Sequence, residues 1–299
     1  MLPANVFPGG LPRTPPQRYV YRFCFQQGSR VRVSLVGFIT VTYILDGSFI
    51  HRDSIGVRQQ YGNLKNSTAL VENDHKHTQW LHTGKGILHD EMFDNTIVAD
   101  DLWKPKRQEL YQLWLNVPAR QKWCPPESIL LGSEDETPLV VDETSQTLVL
   151  AGRWKSYVSS APTTDSCILH VEISPQGHWD FPNIPAEFET ILIYVRRGVG
   201  LRCITDTAVT NVVDIPVHHV AYFDKKGDSI LLQNTNDRDS VDFLLLAGSP
   251  INEPFYSSGS LVMNTPQEVN EAYMDYEHGL FGQAWDYRIS DQEWENVVK

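Results

Sequence analysis

Long apolar runs are missing from this 299-residue chain. No stretch is long enough to cross a bilayer as a helix, which argues against a helical membrane protein. Cysteine is scarce. The four present, Cys24, Cys124, Cys167 and Cys203, form no C-x-x-C pair, so neither a disulfide framework nor a zinc knuckle is expected, and reduced thiols in an intracellular protein are. Positive charge is short as well. Lys and Arg total 25 against 37 Asp and Glu, a formal net charge of −12, and a general nucleic-acid or anionic-membrane binder would need the opposite sign. There is no Gly-rich phosphate loop, no serine nucleophile elbow and no Cys–His pairing at a telling spacing.

One absence is local. No acidic residue precedes Asp46, whereas Arg13, Arg18, Arg22, Arg30 and Arg32 all do. An acid-poor, Arg-bearing leader fits an organelle transit peptide in composition. Three prolines and two glycines by position 12 disfavour the amphipathic helix such a peptide needs. The simpler expectation is an atypical N-terminal tail or strand over residues 1–36 on a cytoplasmic or nuclear protein.

What is present is strand text. The chain is 41% apolar, enough to build real cores. Val31 to Val36 and Ile39 to Leu45 are β-branched and aromatic. Asp46-Gly47 signals a hairpin into Ser48 to Arg52, and residues 53–70 read as a polar loop. Glu109 to Asn116 alternates as a strand. The acidic, turn-rich residues 132–147 mark a domain boundary. Strand signals resume at 147–151, 167–173, 190–195, 217–223, 229–233 and 241–247, a spacing that suits a sandwich or barrel. Thr265-Pro-Gln-Glu268 is a capping box with proline at the first helical position; it opens a helix to about His278, stopped by Gly279.

The densest chemistry lies in Trp80 to Met92. His82, His89 and Glu91 fall within it, and Gly84 and Gly86 allow a tight reversal. His89 and Glu91 are two apart, so on a strand they share a face, as half of a 2-His-1-carboxylate metal site does. His75 and His77 are further local donors, read as a solvated loop pair. His51 reads as a partner for Asp53 or for backbone, near the cavity without binding metal. Trp80 and Trp114 read as core or cavity wall, and His218-His219 as a strand edge or loop.

Gly37 to Gly47, His51-Arg-Asp-Ser54, Gln79 to Met92 and Tyr111 to Pro118 together resemble the N-terminal cupin domain of the pirin family. Lys226 to Ser229, Leu246 to Pro254 and Val262 to Glu268 resemble its C-terminal domain, in order and spacing. The resemblance implies an all-β fold of two tandem cupin-type β-barrels with few short helices, over residues 37–135 and 148–288. It also implies one non-haem iron, Fe(II), in the first barrel and none in the second.

The resemblance breaks where the iron would be held. The family motif His-Pro-His-Arg-Gly-Phe-Glu-Thr-Val-Thr-Tyr aligns with Val33 to Tyr43, so the motif histidines fall on Val33 and Leu35 and its glutamate on Ile39. Only His89 and Glu91 remain as metal ligands, an incomplete set, with Glu91 doubling as the catalytic proton acceptor. The break at Gly37 is abrupt, as a read-through intron or an alternative start would leave it. Two functions follow. One is a flavonol-cleaving dioxygenase acting on quercetin-like molecules, weak or inactive with this ligand set. The other is a non-catalytic, redox-linked scaffold or transcriptional co-regulator that meets a protein partner. Neither calls for direct nucleic-acid or membrane contact.

Overall fold

Alternating β-branched and aromatic residues give strands through both halves of the chain. The computed structural model describes residues 4–8, 31–63, 78–93, 109–133, 135–163, 165–204, 212–224, 227–284, 286, 288–290, 293 and 296. After β1 (Ala4–Pro8) come β2 (Val31–Leu35), β3 (Phe38–Asp53), β4 (Arg58–Asn63), β5 (Thr78–His82), β6 (Ile87–Phe93), β7 (Glu109–Asn116), the short helix α1 (Ala119–Lys122) and β8 (Glu127–Leu131). The second half begins with β9 (Leu139–Val141), β10 (Ser145–Ala151), β11 (Arg153–Trp154), β12 (Tyr157–Val158), β13 (Ser166–Ile173) and β14 (His178–Phe181). It continues with β15 (Thr190–Arg197), β16 (Leu201–Ile204), β17 (Val212–Ile215), β18 (His219–Phe223), β19 (Ile230–Asn234) and β20 (Val241–Gly248). β21 (Tyr256–Ser258), β22 (Leu261–Met263) and α2 (Pro266–Glu277) close the chain. The all-β expectation holds. None of the described helices is long and apolar enough to cross a membrane.

The chain forms two compact units, Met1–Gln17 with Ser133–Pro250, and Arg18–Gly132 with Ile251–Lys299. Residues 251–288, which the sequence reading grouped with the second barrel, thus cluster with the first half. In the first of these units a seven-stranded sheet, β1-β18-β15-β20-β13-β10-β9, and a four-stranded sheet, β14-β19-β16-β17, share one apolar core. Trp154, Trp179 and Phe243 belong to it, with the two indoles stacked at 5.8 Å. Strand β1 is the sheet edge, where Pro8 removes no ladder donor that a neighbour would need. Of the leading 36 residues, therefore, 4–8 and 31–35 are strands, while 9–30 lie outside the described residues.

The other unit is organised by β3. Its first part pairs with β5 and β7 and its last part with β4 and β6. The sequence predicts a hairpin at Asp46-Gly47, and the structure corrects this. Strand β3 runs unbroken through the pair, with a register shift between Ile44 and Asp46 against β7 and Gly47 at φ 85°. A bulge with a left-handed glycine bends the strand from one sheet into the next without reversing it. The predicted loop 53–70 is likewise corrected at its start, because Arg58–Asn63 is strand β4, paired to β3. Residues 64–77 and 94–108, including His75 and His77, lie outside the described residues.

Helix α2 begins where the capping box places it. Thr265 Oγ1 accepts from Glu268 N at 3.1 Å, and Glu268 Oε2 accepts from Asn264 N at 3.1 Å. The segment beyond α2 packs on the site-bearing strands. The Phe281 ring covers Gly86, where an added Cβ would sit 2.2 Å from it, and the Phe281 carbonyl accepts from Ser54 Oγ at 2.5 Å. Lys122 of α1 is fully buried. Its Nζ donates to Gly37 O at 2.6 Å, Asn116 Oδ1 at 2.6 Å and Val262 O at 3.0 Å, tying the residue before β3 to β7 and β22.

Candidate metal centre

Strand alternation places His51 and Asp53 of β3 on the face shared by His89 and Glu91 of β6. The antiparallel register sets His51 opposite Glu91 and Asp53 opposite His89. Along β3, Phe38 and Ile44 belong to two separate apolar clusters, and Thr40 and Thr42 fall between them. Along β7, Leu110 and Trp114 belong to those same clusters, and Gln112 falls between. A buried polar layer is therefore built between two apolar ones. Thr40, Thr42, His51 and Gln79 in it have no exposure, and His89 has 4%.

Within this layer His51, His89 and Glu91 each offer a ligand atom, and the three atoms lie within 4.8 Å of one another. Among the described residues no other set of three His, Cys, Asp or Glu side chains converges in this way. The donor set suits a divalent first-row metal: two imidazoles and one carboxylate. Two buried nitrogens, Nδ1 of His51 and Nδ1 of His89, have no hydrogen-bond partner, as expected of atoms reserved for a ligand. Burial pushes the His89 imidazole below its ordinary value, against the opposing pull of Glu91. The neutral imidazole, which is the form that binds metal, is thereby favoured.

Neighbouring side chains hold these groups in one orientation. Gln112 Nε2 donates to both Glu91 oxygens, at 3.1 and 2.9 Å, and Gln112 Oε1 accepts from Trp114 Nε1 at 3.2 Å. An indole N–H only donates, so Trp114 fixes which end of the amide faces Glu91. His51 Nε2 is 2.9 Å from Asp53 Oδ2. Tyr61 donates to Gln79 Oε1 at 3.2 Å. Burial, followed by the charge of Glu91, raises the Tyr61 phenol well above its ordinary value, which keeps it a donor.

The sequence singled out His89 and Glu91, and the structure brings them together. It also delivers the expected His51–Asp53 pair. The sequence suggests a non-ligand role for His51 near the cavity, whereas the structure puts it in the same cluster. The available signal was the i, i+2 spacing of His51 and Asp53, which repeats the spacing of His89 and Glu91. Gln112 was missed, since a glutamine inside a strand carries no metal signature. His82 is on β5 opposite Glu127, outside the cluster. Val33, where the sequence alignment places a motif histidine, is paired with His89, and Leu35 is in an apolar cluster with Phe38 and Trp114. Trp80 is buried core. His218 sits in a turn at φ 60°, and His219 opens β18.

Two family models match the chain, pirin over residues 32–115 and the pirin C-terminal cupin domain over residues 168–282. A pirin-like protein of Solanum lycopersicum is 31% identical over 247 residues, covering 82% of this chain and 74% of the relative. The chain belongs to the pirin family. A candidate quercetin 2,3-dioxygenase of Pseudomonas aeruginosa is 28% identical over 250 residues, 82% of this chain and 77% of that protein. Among solved structures, a quercetin 2,3-dioxygenase from Acinetobacter baumannii superposes with a TM-score of 0.74 at 18% identity, over 96% of this chain and 93% of that one. This pirin is thus a bicupin related to quercetin 2,3-dioxygenases.

Proposed function

We propose that this pirin binds one divalent first-row metal, iron(II) in the first instance, through His51, His89 and Glu91, and that it opens the ring of a flavonol such as quercetin with O₂. The observation that carries the reading is the convergence of three ligand atoms within 4.8 Å of one another in a buried polar layer. When bound, the metal supplies a Lewis acid and template that lowers the pKa of the flavonol hydroxyl. The residues do the rest. Glu91, its carboxylate plane set by Gln112, takes up the hydroxyl proton. His51 and His89 serve as neutral imidazole donors. The flanking apolar clusters keep bulk water from the layer.

A second reading keeps the barrel as a scaffold for a protein partner. It is favoured by the ligand count, because the positions where the family motif carries two further histidines hold Val33 and Leu35, neither of which can donate an electron pair, and Leu35 is part of an apolar cluster. Metal analysis of the purified protein and loss of quercetin absorbance under air separate the two. Stoichiometric metal with oxygen-dependent turnover supports the enzyme. A metal-free protein that stays inactive after iron(II) is added supports the scaffold.

A further inference from the structure

We infer that Asp53 is a positioning residue that fixes His51 in its Nε2–H tautomer, making Nδ1 the metal-binding atom of that side chain. The inference rests on the metal-binding reading above and extends it to the chain's own hydrogen-bond logic.

The turn between β3 and β4 holds Asp53 in place. Asp53 N donates to Val57 O at 3.0 Å, and Gly56 N to Asp53 O at 3.2 Å; Gly56 takes the positive φ of 88° that closes such a turn. The same turn grips the Asp53 side chain. Its Oδ1 accepts from Ile55 N at 3.1 Å and from Val57 N at 3.0 Å. The carboxylate therefore cannot rotate without breaking two backbone bonds, and Oδ2 is left aimed at His51 Nε2, 2.9 Å away. Neither side chain has any exposed surface, so water does not compete for this bond.

An ionised carboxylate accepts and never donates. The proton of the Asp53–His51 bond must then sit on Nε2, and Nδ1 carries the lone pair. That nitrogen is buried without a hydrogen-bond partner, and a buried acceptor left in this state has lost its hydration with nothing to replace it. A metal shared with His89 and Glu91 is what would replace it. The two imidazole rings are 5.6 Å apart and inclined at 52°. A carboxylate behind a metal-bound imidazole both orients the ring and raises its basicity.

The test is made on the full-length protein with ¹⁵N-labelled histidine. In the metal-free wild type, His51 should show Nδ1 as the unprotonated nitrogen and Nε2 as the protonated one, with the resonances assigned by through-bond correlation. Asp53→Asn then reverses the logic at nearly constant shape. The asparagine carbonyl can keep both turn amides, while its NH₂ must donate to Nε2 and drive the proton to Nδ1. Cobalt(II), followed by its visible absorption, should bind this variant about 10- to 100-fold more weakly than wild type, with the amide spectrum otherwise unchanged. A wild-type His51 protonated on Nδ1 overturns the inference while leaving the metal reading intact, as does an Asp53→Asn variant that binds cobalt(II) as tightly as wild type. A wild type that takes up no cobalt(II) overturns the metal reading itself, and the assignment of Nδ1 falls with it. Should the variant fail to fold, the wild-type tautomer alone decides.

Discussion

Replacing Lys122 by methionine tests how this fold accommodates a buried charge. The substitution keeps the apolar stem and removes the ammonium. Three acceptors lose their donor: the Gly37 and Val262 carbonyls and Asn116 Oδ1. An orphaned buried acceptor costs about 1–3 kcal/mol, and one relief works against that loss. Burial pushes the Lys122 ammonium down from 10.5 to about 8, although Glu253 and Glu268 pull the other way. At about 1.36 kcal/mol per pH unit, holding the charge inside costs the native state about 3 kcal/mol near neutrality. Three such losses, about 3–9 kcal/mol together, less that relief leave a net destabilisation of Lys122→Met at pH 7 centred on about 3 kcal/mol and no more than about 6. The pH dependence is the sharper test. Between about 8 and 10.5 the unfolded lysine is protonated and the folded one is not, so the unfolded state binds more protons and stability rises with pH. The stability gap between wild type and Lys122→Met should widen by about 3 kcal/mol across that window. Paired urea titrations at pH 7, 8, 9 and 10 measure it, because every other titrating group cancels in the difference. A gap that stays constant, or a methionine variant as stable as wild type, refutes the reasoning.

Gln112→Met removes both bonds to Glu91 and strands the Trp114 indole. Metal affinity should fall about 10- to 100-fold, read by competition with a chromophoric chelator. Gly86→Ala forces a Cβ to within 2.2 Å of the Phe281 ring at φ 134°, and thermal unfolding should report a loss of about 2 kcal/mol or more. In the other unit, Asp242 bonds His170 and forms a buried ion pair with Arg196. Burial acts to raise its carboxyl, but His170 and then Arg196 hold it well below the ordinary carboxylate value. Asp242→Asn should cost about 3–5 kcal/mol at neutral pH. The stabilisation from this carboxylate is complete above the ordinary Asp range and is lost as pH falls below it, so acid titration should show a gap that shrinks on acidification.

Strands and helices are legible in this sequence to different degrees, for physical reasons. Glu109–Asn116 and Thr265 onward announce themselves through alternation and capping chemistry that act over a few residues, and both appear where expected. Asp46-Gly47 misleads because the same left-handed glycine serves a hairpin or a bulge. Only the strands that pair with the two ends of β3 (β5 and β7 on one part, β4 and β6 on the other) decide between them. The polar run at Arg58–Asn63 hides a strand since Tyr61 is its one member in an apolar cluster, while Gln59 turns to the Gln79 amide, so the usual hydrophobic alternation does not show. The site divides in the same manner. His89 and Glu91 are legible from spacing on one strand. His51 joins them only through the register of β3 against β6, and Gln112 only through β7. Long-range pairing assembles the site, and spacing along one strand is silent about it.

The division of the chain into units also sets an order of events during synthesis. Residues 133–250 emerge from the ribosome complete, with Ala4–Pro8 already available to pair with β18. The site-bearing unit emerges first and is finished last. Val36 needs Leu261 as its bridge partner, Lys122 needs the Val262 carbonyl, and Gly86 needs Phe281. At about 5–20 residues per second, strands β2 to β8 spend on the order of ten seconds without their closing segment. Any chaperone requirement of this protein should therefore fall on strands β2 to β8 while they wait, and a stop codon placed after β20 should disable a site whose ligands all lie at or before Glu91.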